Sequence, residues 1–194
     1  MKLTSNKEIQ KARDAYFSVF RNRSPYHEPF HENTPARALV YPVETYPDDD
    51  LYFAIANAAA GLGEDEAYFS TIMDVTEDSY FAVDYWKLDL DEYPFNEKGM
   101  KENGWIAILE STIYSTEGSW GVILTNRQFG LVGGSNPFLD SLRNWIPDLD
   151  AQAGRFVDFS WYGREGPGDS SAWLAGLLAH IYGEEKGAAI LRGG

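Results

Sequence analysis

His27-Glu28-Pro29-Phe30-His31 carries the letters HExxH, and two histidines with a glutamate between them are the parts of a hydrolytic zinc site. That chemistry needs a helix. One turn must bring both imidazoles to the same face so that they share the metal, while the glutamate activates the bound water. Pro29 stands between the two histidines, and a proline inside a helix removes a hydrogen bond and clashes with the preceding turn, at a cost of about 3 kcal/mol. Pro25 and Pro35 flank the segment, so Ser24 to Pro35 reads as an extended loop. Metal-assisted hydrolysis by His27 and His31 with Glu28, or the role of a structural or interaction subunit, stands as the alternative to a non-catalytic protein that neutralises a partner. The third histidine, His180, falls in an apolar C-terminal stretch with no motif supplying a serine or acid partner. GxSxG, GxxxxGK[ST] and GxGxxG are all absent. Asp89-Leu90-Asp91 and Asp148-Leu149-Asp150 each set two acids at i and i+2, but neither continues into a calcium loop with its glycine and closing glutamate. No cofactor is expected.

What the chain has in quantity is negative charge. Thirty acids against sixteen bases give a net charge of -14, and the excess is local: Glu44 to Glu102 holds sixteen acids and three bases, whereas Met1 to Val43 holds four acids and seven bases. Such a field repels nucleic acid and anionic lipid and favours a basic protein surface. Six Trp, twelve Tyr and eleven Phe supply side chains suited to cores and to contact surfaces. Asp48, Asp49 and Asp50 sit at a helix start. Asp84, Tyr85, Trp86, Asp89, Asp91 and Glu92 sit in or just after a strand. Together these nine are the expected partner-binding surface, with acids steering the encounter and Tyr85 and Trp86 as aromatic anchors.

The elements that would carry this surface are those of one α+β domain spanning 1–194, a length that buries a core without staples. Cysteine is absent and no apolar run approaches the roughly 20 residues of a membrane span, so a cytoplasmic location is expected. Ile9, Ala12, Tyr16 and Phe20 recur at helical spacing behind a Ser5–Glu8 capping box. Ala38 to Tyr41 reads as a strand. A helix capped by Asp48 or Asp49 runs to about Ala60 with Leu51, Ile55, Ala58 and Ala59 on its buried face. Ala67 to Val75 is open between helix and strand, and Ser79 to Leu90 alternates as a strand with Phe81, Val83 and Tyr85 on one side. Glu92 to Gly104 reads as a charged connection. Strands from Trp105, over Ser119 to Leu124 and over Phe129 to Val132, with turns at Thr116–Gly118 and Asn126–Gln128, make an antiparallel meander at about 105–133. Helices follow at Phe138 to Ile146, capped by Asn136, and at Ser170 to Tyr182, capped by Asp169 or Ser170. Ala153 to Tyr162 is open between helix and strand, and Gly163 to Gly168 is a loop.

Ile113-Tyr114-Ser115-Thr116-Glu117-Gly118-Ser119-Trp120-Gly121-Val122-Ile123, continued by Phe129 to Gly134 and then Phe138, resembles a pattern found in small bacterial proteins, among them immunity proteins of polymorphic-toxin and contact-dependent competition systems. The resemblance is confined to that segment and carries no catalytic residues. It implies a cytosolic, non-catalytic protein that binds a toxin domain and occludes its active site.

Overall fold

The computed structural model describes residues 1–76, 79–105, 109–160 and 171–193, and within these the side chains outside 74–83, 159–160 and 171–172. Helix α1 (Asn6–Val19) starts where expected: the Ser5 side chain accepts from the Glu8 amide, and the Ala12, Ala15, Tyr16 and Val19 stripe is buried. Strand β1 (Ala36–Val40) and helix α2 (Asp49–Ala60) follow, then the long hairpin β2 (Glu66–Thr76) and β3 (Ser79–Asp89). A short helix, α3 (Glu97–Asn103), lies within the charged connection, held by an Asn96 cap and by Gly104 in the left-handed region. Strands β4 (Glu110–Ser115), β5 (Trp120–Leu124) and β6 (Gly130–Gly134) form the expected meander. Helices α4 (Asn136–Trp145), α5 (Leu149–Ser160), α6 (Ser171–Tyr182) and α7 (Glu184–Leu191) complete the chain, with Gly183 at φ +84° breaking α6 from α7.

All six strands join one antiparallel sheet in the order β1-β6-β5-β4-β2-β3. Alternate residues serve two cores. Phe69, Trp86, Ile113, Trp120, Val122 and Val132 face a layer that contains α2, α4 and the Tyr93–Trp105 segment. Tyr68, Tyr85, Tyr114, Ile123 and Leu131 face α1, α5 and α6. Cross-strand partners Gly121 and Gly133 leave a bare patch in the second face, against which the rings of Phe20 and Phe30 pack. A Cβ on Gly121 would stand 2.4 Å from Phe20, and one on Gly133 would stand 2.4 Å from Phe30. No helix among the described residues is long and apolar enough to cross a membrane.

Both sheet edges have partners. On β1 the outward amide of Leu39 donates to the Tyr182 hydroxyl at 2.9 Å, and that of Tyr41, just past the strand, to Gln152 Oε1 at 2.7 Å. On β3 the Tyr85 carbonyl accepts from the Leu3 amide and the Lys87 amide donates to the Met1 carbonyl, both at 2.8 Å.

Several boundaries differ from the sequence reading for identifiable reasons. Ser135, not Asn136, caps α4, because its hydroxyl reaches the Phe138 amide and leaves Pro137 inside the first turn. The sequence also offers Phe138, Leu142 and Trp145 or Ile146 as the buried stripe of this helix, but Trp145 is 56% exposed and the buried residues are Phe138, Leu139 and Leu142. Residues 67–75 are strand and 153–160 are helix. Trp105 is core rather than strand. The Ile106–Ile108 stretch, the side chains of Phe81 and Val83, the Gly163–Gly168 loop and the Asp169/Ser170 cap lie outside the described residues.

Candidate functional site

The acids of two separated segments meet at the N-terminal end of α2. Asp48 caps that helix by accepting from the Leu51 amide at 2.9 Å, and Asp49 and Asp50 follow in its first turn, where the helix dipole stabilises negative charge. Tyr52 donates its hydroxyl to the Asp89 carbonyl at 3.0 Å, which ties the end of β3 to α2. The Asp89 carboxylate accepts from the Asp91 amide at 3.0 Å. Tyr93 donates to the Pro47 carbonyl at 3.0 Å, and its ring meets that of Tyr52 edge to face at 5.5 Å. Glu44, Asp48, Asp49, Asp50, Asp89, Asp91 and Glu92 thus share one neighbourhood around two tyrosines, and all seven are exposed. None of the ion pairs among the described residues involves any of them. The phenols register the resulting field. Burial, then the charges of Asp49, Asp48 and Glu44, push the Tyr93 hydroxyl up to about 12. Burial with Asp89, Asp91 and Glu92 raises Tyr52 likewise.

The expected aromatic anchors are not at this surface. Tyr85 is 4% exposed and Trp86 3%, because β3 is covered on both faces. Trp86 is wedged between Phe69 at 5.4 Å and Trp105 at 5.5 Å. The Tyr85 hydroxyl accepts from Arg13 at 3.3 Å and from Arg23 at 3.1 Å under α1. Asp84 lies apart from the other acids and is neutralised by Lys2 at 2.7 Å. The exposed ring beside the acids is Phe53, 43% exposed and 6.3 Å from Tyr93. It falls off the Leu51–Ile55–Ala58 stripe of α2, and a helical projection of the sequence carries that signal.

Beside Tyr93 a cavity of about 490 Å³ opens between the β1–α2 connection, the Tyr93–Met100 segment and the turn before β6. Tyr46 and Phe95 form its buried floor, Tyr93 and Met100 its walls, and exposed Glu44 and Asp48 stand at its rim. No motif announces it, since its three segments are far apart in the chain.

The HExxH letters do not form a metal-binding turn. His27 to His31 holds no helical turn: His27 lies in a bend, Glu28 sits at φ +44° with its carboxylate held by Arg21 at 2.8 Å, and Phe30 bridges to Phe20. His27 is exposed, while His31 Nε2 contacts the Phe17 carbonyl at 2.9 Å. His180 Nε2 accepts the Phe30 amide at 3.2 Å, and Arg37 donates to the His180 carbonyl at 2.6 Å. Burial, with the Arg37 charge adding to it, lowers the His180 imidazole to about 4. Asp148 and Asp150 are engaged by Arg155 and Arg143.

No family model, curated protein or solved structure matches this chain.

Proposed function

We propose that this chain is a non-catalytic binding protein whose acidic face docks a basic surface of a partner protein, in the manner of an immunity protein that occludes a toxin domain. The observation that carries the reading is the meeting of seven exposed carboxylates, from Glu44–Asp50 and Asp89–Glu92, with no cation paired to them among the described residues. Holding like charges together opposes folding, and a basic partner relieves that repulsion on binding. Phe53 and Tyr93 supply rings for the desolvated centre of such a contact, and the acids around them steer the encounter. The resemblance of Ile113–Phe138 to immunity proteins agrees with a basic toxin domain as that partner.

The test is to capture the partner with the wild-type chain and measure association kinetics at low and high ionic strength. The association rate should fall at least ~10-fold between 0.01 and 0.5 M salt, since screening shortens the reach of the field. Asp89→Lys, Asp91→Lys and Glu92→Lys together should weaken binding while the exposed positions leave the fold intact. A partner whose association ignores both salt and the triple reversal would remove this reading.

A further inference from the structure

The cavity beside Tyr93 has a composition the acidic face as a whole lacks. Its floor and walls are aromatic and aliphatic, its rim carries Glu44 and Asp48, and among the described residues no lysine or arginine lines it. Its volume of about 490 Å³ lies within the ordinary range of binding pockets. Tyr93 is fixed from both sides, by its hydroxyl on the Pro47 carbonyl and by ring contacts with Tyr52 and Phe95 at 5.5 and 6.0 Å. The walls are therefore preformed, and a ligand entering them meets little ordering cost.

The geometry points to a receptor pocket for an arginine side chain presented by a basic partner, an inference that rests on the docking function above. The long apolar stem of arginine fits against Phe95 and Met100, which would leave a purely polar cation unsatisfied. Its planar guanidinium stacks on a tyrosine face, and its forked N–H donors reach two carboxylates at once. A lysine ammonium is a compact, strongly hydrated charge that uses one carboxylate well and the aromatic wall less. Citrulline has the same shape as arginine without the charge, so it isolates the electrostatic part of recognition.

The experiment titrates the full chain with three probes, the Nα-acetyl amides of arginine, lysine and citrulline, followed by amide chemical shifts. Arginine amide should bind with a dissociation constant of roughly millimolar size and shift Glu44, Tyr93, Phe95 and Gln128. Lysine amide should bind at least ~3-fold more weakly and citrulline amide without saturation. Glu44→Gln with Asp48→Asn should weaken arginine amide ~10-fold or more, and asparagine keeps the helix cap so that the melting temperature holds. Citrulline or lysine binding as well as arginine, or arginine shifts scattered over the face without the pocket, overturns the inference. The captured partner separates the two claims. If its binding depends on salt but ignores the Glu44/Asp48 pair, the pocket assignment falls and the docking face stands. If arginine amide fills the pocket but no salt-dependent partner exists, the docking function falls and the pocket stands.

Discussion

Gly133→Ala tests how closely the second core is packed. The added methyl would lie 2.4 Å from Phe30 Cε1, 2.5 Å from Cδ1 and 2.9 Å from Cζ. Carbon contacts settle near 3.5–4.0 Å, so the ring would have to withdraw by about 1.3 Å. Phe30 is fully buried, stacks on Phe20 at 5.3 Å, lies parallel to the His180 ring at 6.4 Å and donates its own amide to His180. It has little room to withdraw. Overpacking of this kind costs about 1–3 kcal/mol, and the better strand propensity of alanine returns roughly 0.5–1. The net expectation is a loss of about 1 kcal/mol, or a melting temperature lower by ~2–4 °C in a chain of this length. Urea denaturation should show the midpoint falling with the slope unchanged. Phe30→Leu removes the obstructing ring edge, so the double variant should be more stable than the two single losses added together, with a coupling of at least ~1 kcal/mol. A stabilising Gly133→Ala, or additivity within ~0.3 kcal/mol, would refute the close contact.

Trp120 is fully buried, lies flat on Phe138 at 4.9 Å and donates its indole N–H to Glu64 at 3.2 Å. Trp120→Ala should cost about 3–5 kcal/mol in denaturant unfolding, and a smaller loss would mean that the site collapses readily. Burial and the Arg37 charge lower the folded His180 imidazole to about 4 from its ordinary 6.5, so the unfolded chain binds more protons between those values. Its contribution is fully present above pH 6.5 and is lost as pH falls towards 4, by ~1–2 kcal/mol after allowing for solvent screening. Subtracting the His180→Gln profile from that of wild type should isolate this loss, and a flat difference would refute it. Calorimetric titration of zinc should find no tight stoichiometric site. His27→Ala should leave stability unchanged, whereas His31→Ala should lose about 1 kcal/mol with its Phe17 contact. Tight zinc abolished in either variant would reinstate the hydrolase reading.

The meander was legible because short alternating runs bounded by Thr116–Gly118 and Asn126–Gln128 have few other solutions. Alternation could not reveal that helices cover both faces of the sheet, and this is why Tyr85 and Trp86 looked available and are not. The sequence reading ends the last helix at Tyr182, where α6 ends, and offers no element for α7, which restarts behind Gly183 at φ +84° without a periodic pattern to announce it. The charge excess of Glu44–Glu102 could be counted from the chain. Its convergence could not, because it depends on Tyr52 and Tyr93 pinning two remote segments, and neither tyrosine belongs to a motif. The same excess also includes Asp84, which Lys2 neutralises, so counting overstates the free charge of the face.

A sheet edge with vacant amides is an invitation to other chains, and aggregation commonly begins there. In this fold an incoming strand at β1 would first have to dislodge the Tyr182 hydroxyl and the Gln152 amide, two side chains rooted in the C-terminal helices. At β3 it would have to peel away residues 1–3. Intermolecular strand exchange would therefore begin with detachment of the outer helices or of the first three residues. Crowding alone would not seed fibrils from the intact fold, and the conditions to watch in storage are those that loosen α5 and α6, mild acid among them because His180 belongs to α6.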